Sequence, residues 1–593
     1  MVPPPQLERA CVAVTQMHRV AHPLNQAPPS DPAARPARPG LAELGASWRA
    51  LTACLREGPR AVYLILGICL AIPLYFIWST HLVWEDYFIT YRYSENLARG
   101  LGLVYSPGER VQGFTSPLNT LIPACFAWIS GAKHFSIPLW GFRLVSLAGL
   151  AFALVSVTSL FTGRPGSTRA ALWTGLLFPL VAVLEIKTTA FAMSGQEAGL
   201  VIGFLAPAFV LACLGWPAHA WLGGMLWAGL MYSRPDACVY IAALGLVAWG
   251  FAPGSRRDCF LALLKSGAVC AVLYLPWFLF TWSYYGSPVP HTITAKYGIG
   301  VQVIPIFQFL SPVAVALQHV PKTLCWVFAP IYDPLSLDAG HWPNWIHDAG
   351  FALAALAILY WLVPSRDRIG RMASLAAFLV FAYQNYVSEV AQFAPWYYPP
   401  LAFLSALAIV CAIAAAAQRL RPAGVAGAFS AVALVALLGY FGYIFSASLL
   451  PLRLKQEVVD GGNRRDVGLW LRDHVRPGEA VFLEPLGYIG YYSQAKMLDW
   501  PGLVSPEVVA VRHRLTSPLT YTWQPVAEAL QPAWIVARAE EAGLMQQSAS
   551  LSKNYEIQKV FDVRDQLTPY RDTVGINVAL PESLLCIYRR VTP

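Results

Sequence analysis

Two adjacent carboxylates, Glu85 and Asp86, follow the first long apolar segment of the chain. Ionisable side chains so close to a bilayer are costly, so a functional role is their default interpretation. Repulsion between the two raises the pKa of one carboxyl, which suits a general base. A divalent cation between them would instead assist a departing phosphate. The pair could also simply cap a helix at the membrane interface. The residues alone leave these three alternatives open.

The composition predicts a polytopic α-helical membrane protein. Apolar residues make up 56% of the 593 positions and charged residues only 13%, whereas soluble proteins carry about 25% charged residues. Several apolar runs approach or exceed the roughly 20 residues that span a bilayer. These runs are 61–78, 139–161, 260–282, 351–363, 397–417 and 425–445. We expect 11 to 13 spans.

The arginines predict the orientation of the chain. The net charge of +9 comes largely from arginines in short loops between apolar runs, near residues 256, 366 and 419. Positive charge in such loops marks the cytoplasmic side, whereas a nucleic-acid-binding protein would not confine it there. Residues 1–57 are rich in Pro and Arg, so we predict a disordered cytoplasmic tail. The N-terminus is then cytoplasmic.

Two further regions follow residues 1–57 in this scheme. Residues 58–447 form the transmembrane module, with extracytoplasmic loops near 81–116 and 284–346. Residues 448–593 form a soluble extracytoplasmic α/β domain, because helical and strand patterns alternate there. The predicted elements are a helix over 466–475, strands at 480–483 and 534–537 with a helix over 526–530 between them, and strands at 555–563 and 584–590.

One segment fits the span count poorly. The scheme requires 221–251 to act as one span, interrupted at Arg234 and Pro235, since proline breaks helices. We therefore expect Arg234 to be structural or to lie at the cytoplasmic edge.

The first loop resembles a known family. The stretch from Glu85 to Leu118 is similar to the first extracytoplasmic loop of a group in glycosyltransferase superfamily C, which includes the actinobacterial cell-wall arabinofuranosyltransferases. The match includes the Tyr-Arg-Tyr of 91–93 and the Pro-Gly-Glu-Arg-Val of 107–111. Three positions depart from the family pattern: Tyr87 replaces a small residue, Gln112 replaces Glu, and Ser116 replaces Asn.

Further stretches resemble the same family. They are Ser-Gly-Gln-Glu at 194–197, Ser-Arg-Pro-Asp at 233–236, Tyr-Tyr-Gly-Ser-Pro-Val-Pro-His-Thr at 284–292 with Ala-Lys at 295–296, and two stretches at 484–493 and 498–506. The resemblance thus extends from about residue 58 to the C-terminal region.

The resemblance implies an enzyme of the multi-pass plasma membrane with an extracytoplasmic active site. It would transfer a sugar, which we expect to be arabinofuranose or another pentose, from polyprenyl phosphate to a hydroxyl of an envelope glycan, lipid or protein. Asp86 is the candidate base, assisted by Glu85. A divalent cation could bind at this pair. The donor-phosphate candidates are Lys296, His291, Arg92 and Arg110. The sugar or acceptor candidates are Tyr87, Tyr285, Trp396, Tyr397 and Glu197.

Other structural and functional interpretations remain open for these residues and for the chain. Lys296 could anchor a helix at the headgroups, and most of the aromatics could belong to the membrane-interface belt. The same fold could use a hexose or aminoarabinose donor. From other classes, the chain could be a lipid-linked sugar transporter or flippase, or a non-catalytic scaffold. The C-terminal domain would cover the active-site mouth or bind acceptor glycan.

Overall fold

The computed structural model describes residues 39–132, 134–162, 169–296, 312–331, 340–387, 394–420, 422–515 and 522–591. The first part of the chain consists of helices joined by loops, the longest described one between residues 98 and 117. Its helices are α1 Pro39–Leu51, α2 Cys54–Glu57, α3 Ala61–Thr80, α4 Glu85–Ala98, α5 Pro117–Ile129, α6 Ser136–Thr162, α7 Arg169–Leu184, α8 Ile186–Met193, α9 Ala198–Leu214, α10 Ala220–Ser233, α11 Ala237–Gly250, α12 Arg256–Tyr285, α13 His291–Lys296, α14 Pro312–Phe328, α15 Asn344–Leu359, α16 Arg368–Val387, α17 Pro399–Ala417 and α18 Ala423–Leu454.

Six helical segments of the described residues are long and apolar enough to cross a membrane. They are Ala61–Thr80, Ser136–Thr162, Arg256–Tyr285, Asn344–Leu362, Pro399–Ala417 and Gly424–His474. The bent pair α7 and α8 would be a seventh, and α5, α9 and α11 are shorter apolar helices. The chain is therefore a multi-pass membrane protein, and the count of 11 to 13 spans stays a prediction.

A buried carboxylate explains the 65° bend between α7 and α8. Glu185 accepts hydrogen bonds from the backbone nitrogens of Lys187 and Thr188, so it caps α8 where α7 ends. Its charge is balanced by the Lys187 ammonium at 3.1 Å, and both side chains are buried. Because the capping carboxylate has a paired counter-ion, the N-terminus of α8 can be buried inside the bundle.

The predicted disordered tail is wrong for residues 39–57, which form α1 and α2. Leu51 and Cys54 are fully buried. The backbone nitrogen of Cys54 donates to Ser159 Oγ at 3.0 Å, which ties α2 to α6. Burial of this apolar side outweighs the local lack of periodicity. Residues 1–38 lie outside the described residues, as do 297–311 and 332–339 of the predicted second loop.

The expected single span over 221–251 is also wrong. The helices α10 and α11 form a hairpin with Arg234 at its turn. Arg368 donates to the carbonyls of Cys213, near the end of α9, and Phe251, just after α11. The segment that leads into α10 and the end of α11 therefore lie near the same arginine. Each helix has only 14 residues, which is why the hydropathy of the pair resembles one long interrupted span.

The C-terminal region is an α/β domain, as predicted. Its strands are β1 Ala480–Leu483, β2 Lys496–Asp499, β3 Trp534–Arg538, β4 Tyr555–Asp562 and β5 Leu584–Arg590. They form one sheet in the order β2-β1-β3-β5-β4. The first three strands run parallel, and β5 is antiparallel to β3 and β4. Its helices are α19 Arg465–His474, α20 Leu486–Ser493, α21 Pro506–Arg514, α22 Trp523–Leu530, α23 Ala539–Gln547, α24 Ala549–Asn554 and α25 Arg564–Leu567.

A continuous helical stretch joins the two parts. The helix α18 continues through a π-helix, Lys455–Arg464, into α19, so it crosses the boundary predicted at residue 448. One face of the sheet shares a core with the first loop, where Ile89 and Tyr93 pack with Leu486 and Ile489. The C-terminal domain is therefore docked on α4 by a common apolar core.

Candidate active site

A small cavity brings together several polar residues that are distant in sequence. Its volume is about 50 Å³, which is room for a few water molecules. Its polar lining includes Asp86, Thr90, Asn119, Gln196, Glu197, Arg234 and Lys296, with the rings of Trp396 and Tyr397 beside them. We call it the Asp86 cavity.

The start of α4 is held in place by the Ser-Gly-Gln-Glu stretch. The backbone nitrogen of Trp84 donates to the carbonyl of Ser194 at 2.9 Å. Gly195 has φ of +93°, and a Cβ there would lie 2.6 Å from the ring of Tyr87. Only glycine allows this backbone conformation and this close approach. The contact places Asp86 next to Glu197.

The environment of Asp86 favours its protonated form. Burial is the main cause, and with Glu85 and Glu197 it raises the pKa of Asp86 to about 6, while Lys296 and Arg464 act in the opposite direction. A carboxyl group with such a pKa is ionised at neutral pH yet basic enough to take a proton from a hydroxyl.

Arg234 lies in the wall of the cavity. Its guanidinium donates to Glu197 at 2.8 Å and to both carboxylate oxygens of Asp236 at 2.9 and 3.2 Å. It also lies 4.0 Å above the ring centroid of Tyr397. The second oxygen of Glu197 accepts from Asn119 at 3.2 Å. These contacts hold Glu197 and Tyr397 in the wall. The Ser-Arg-Pro-Asp motif was the available signal for Arg234.

The C-terminal domain supplies part of the cavity wall. Leu503 lines it, and the backbone nitrogens of Leu503 and Val504 both donate to the carboxylate of Asp499. Arg512, on α21, donates to the carbonyls of Pro501 and Ala295. One side chain thus ties the Leu503 loop to α13, which carries Lys296.

Glu85 faces away from the cavity and joins an ion cluster. Its carboxylate lies 2.8 Å from Arg464 and accepts from the backbone nitrogen of Gly487 at 3.1 Å. Arg464 also pairs with Asp460 at 2.9 Å and with Glu582. Within the described ranges, no three His, Cys, Asp or Glu side chains are grouped to hold a metal ion.

Three of the four predicted phosphate ligands lie outside the cavity. Arg92 is buried and donates to the carbonyls of Gly490, Gln494 and Ala495. His291 sits at the start of α13, and burial lowers its pKa, which disfavours a cation there. Arg110 is exposed and lies over the ring of Tyr284.

Of the four predicted aromatic contacts, two line the cavity and two lie outside it. Trp396 and Tyr397 line the cavity. Tyr87 is buried and stacks on Tyr91 with centroids 5.5 Å apart. Tyr285 donates its hydroxyl to the carbonyl of Leu103 at 2.6 Å.

Sequence comparison finds relatives that share part of this chain. A terminal β-(1→2)-arabinofuranosyltransferase of Mycobacterium tuberculosis is 26% identical over 243 residues, 38% of this chain and 36% of that protein. The protein of the same name from Corynebacterium glutamicum is 25% identical over 241 residues, 37% of this chain and 34% of that protein. The predicted resemblance is confirmed. The match spans about a third of each relative.

Two further comparisons concern the domains and the fold. Residues 453–577 match a family described as Domain of unknown function (DUF8728). An oligosaccharyltransferase structure from Archaeoglobus fulgidus has a TM-score of 0.49 at 14% identity, and the match covers 84% of this chain and 72% of that one.

Proposed function

We propose that this protein is a membrane glycosyltransferase that moves a sugar from polyprenyl phosphate to a hydroxyl acceptor of the cell envelope. The proposed transferred sugar is arabinofuranose. The proposed active site and the C-terminal domain are extracytoplasmic. The observation that carries the proposal is the Asp86 carboxyl, with a pKa of about 6, in a cavity with Lys296 and two aromatic rings. The similarity to two arabinofuranosyltransferases supports the choice of sugar.

In the proposed reaction, the acceptor oxygen attacks the anomeric carbon while its proton passes to the Asp86 carboxylate. The bond between the anomeric carbon and the phosphate oxygen breaks, and polyprenyl phosphate leaves with the electron pair. Lys296 is the cavity cation without a carboxylate within ion-pair distance among the described residues. It therefore stabilises the developing phosphate charge. Arg234 is already engaged by Glu197 and Asp236, so it orients the wall.

Trp396 and Tyr397 provide apolar faces for the sugar ring, and the hydroxyl of Thr90 and the amide of Gln196 provide hydrogen-bonding groups. Glu85 does not touch the sugar in this scheme. It acts on Asp86 through its charge and joins α4 to the C-terminal domain through Arg464.

The test is release of polyprenyl phosphate from synthetic polyprenyl-phospho-arabinofuranose with a hydroxyl acceptor, by purified full-length protein. Asp86→Asn keeps the shape of the side chain and should lower the rate by about two to four orders of magnitude. Glu109→Gln is the matched control, since Glu109 lies on the same loop but pairs with Lys496 outside the cavity.

Turnover by wild type that survives in Asp86→Asn would refute the role of Asp86. Activity only with a hexose or aminoarabinose donor would replace the pentose. Inactivity with every lipid-linked sugar would overturn the proposal and leave a transporter or scaffold.

A further inference from the structure

A second, larger cavity of about 740 Å³ lies at the opposite end of the bundle. The helix α17 relates the two cavities: it begins just after Tyr397 of the Asp86 cavity and ends just before Arg419 of this one. Its 19 residues span about 28 Å, close to the thickness of a bilayer core. The two cavities therefore open at opposite faces of the membrane.

Two arginines give this cavity its charge. Arg366 and Arg419 line it, and across the residues that the structure describes neither has a carboxylate within ion-pair distance. Arg419 donates to the carbonyl of Pro364. The carboxylate in the wall, Asp367, accepts from the backbone nitrogen of Gly370 and from the Tyr360 hydroxyl. Among the described residues, the cavity thus has two cations that form no ion pair with an acidic side chain.

The rest of the wall is amphipathic. Leu160 and Phe161 from α6 face Ala414 and Ala415 from α17, while Gln418 adds an amide near Arg419. An inorganic anion needs only the polar part of such a wall. A lipid that carries a phosphate needs both the polar and the apolar parts of the wall. Its headgroup contacts the arginines, while its acyl chains pack along the apolar helices. Basic pockets between membrane helices bind anionic lipid headgroups in this way.

We propose that the cavity at Arg366 and Arg419 is a binding site for an anionic phospholipid, which holds together the ends of α6, α7, α16 and α17. The proposal is independent of the glycosyltransferase chemistry, since the Asp86 cavity lies at the other face.

The test is a titration of full-length protein in detergent with phosphatidylglycerol, followed by native mass spectrometry, with phosphatidylcholine in a parallel arm. Wild type should bind phosphatidylglycerol in preference to phosphatidylcholine. Arg366→Gln/Arg419→Gln should weaken this binding about 30-fold, from two arginine–phosphate contacts. Arg366→Lys/Arg419→Lys keeps both charges and should retain most of the affinity, which separates lost charge from lost packing.

The matched control is Arg256→Gln/Arg257→Gln, two exposed arginines at the same end of the bundle but outside the cavity. Equal binding of the two lipids by wild type would overturn the proposal, as would equal losses in the cavity and control variants. Inorganic phosphate is the third arm. If it displaces phosphatidylglycerol at concentrations comparable to the lipid, the site binds free phosphate and the lipid assignment is wrong.

Discussion

Arg512 donates a hydrogen bond of 2.5 Å to the backbone carbonyl of Ala295, the residue before Lys296. The same guanidinium donates to Pro501 at 2.8 Å. The C-terminal domain therefore fixes the position of the candidate phosphate ligand from outside the membrane module. We therefore propose a positioning role for the domain at the cavity, which differs from glycan binding alone.

Arg512→Ala should lower kcat/KM for the lipid-linked donor by roughly tenfold or more, since a hydrogen bond from a charged donor contributes about 1.5–3 kcal/mol. Without the hydrogen bond to Ala295, the neighbouring Lys296 is no longer held in a fixed position to contact the phosphate. Arg514→Ala, an exposed arginine two positions later on α21, is the control. Equal kinetics in the two variants, measured with donor as the varied substrate, would refute the positioning role.

The rate should depend on pH through Asp86. Its carboxylate form is the proposed base, and its pKa is raised to about 6. Activity should therefore be full above that pH and fall by about tenfold per pH unit below it. A profile of kcat/KM between pH 4.5 and about 8 shows the inflection. Activity that rises as the pH falls through this window would contradict a basic carboxylate.

Two substitutions should move this inflection in opposite directions. Lys296 lowers the pKa of Asp86 and Glu197 raises it. Lys296→Gln should therefore shift the acid limb to higher pH, and Glu197→Gln should shift it to lower pH. Both variants should also lose rate, since both line the cavity. Shifts in the same direction would indicate that the titrating group is not Asp86.

Arg464 should matter more for stability than its neighbour Arg465. The Arg464 side chain is 3% exposed and that of Arg465 is 47% exposed. Arg464→Met leaves Glu85 without its cation, and such a loss typically costs about 3–5 kcal/mol. Arg465→Met removes a surface pair worth about 0–1 kcal/mol. The thermal unfolding midpoints in detergent compare the two, and similar midpoints would show that the cluster does not stabilise the docked domain.

Local patterns predicted several elements well. The strands at 480–483 and 584–590 occur with the predicted bounds, and the helix predicted over 466–475 spans 465–474. The two strands are short runs of mostly apolar residues and the helix is amphipathic, so nearby residues suffice to identify each of them. The strand β2, Lys496–Asp499, has only two apolar residues, which lie between two charged ones, and it was not predicted.

Pairing between distant segments was harder to predict. Arg92 looked available for phosphate, yet its partners are carbonyls of residues 490–495. The segment around Arg234 was predicted as one span, because two helices of 14 residues have the hydropathy of one broken span. In both cases the deciding contact depends on how helices pack in space, which no local period encodes.

The cluster around Arg464 also has a consequence for the order of synthesis. Glu85, Arg464 and Glu582 leave the ribosome at widely separated times, and they meet only in the finished fold. Until Arg464 and Gly487 have been translated, Glu85 lacks the partners that anchor the start of α4. The Asp86 cavity is therefore assembled late, so an incomplete nascent chain already in the membrane would not yet hold the proposed lipid-linked donor in a reactive geometry.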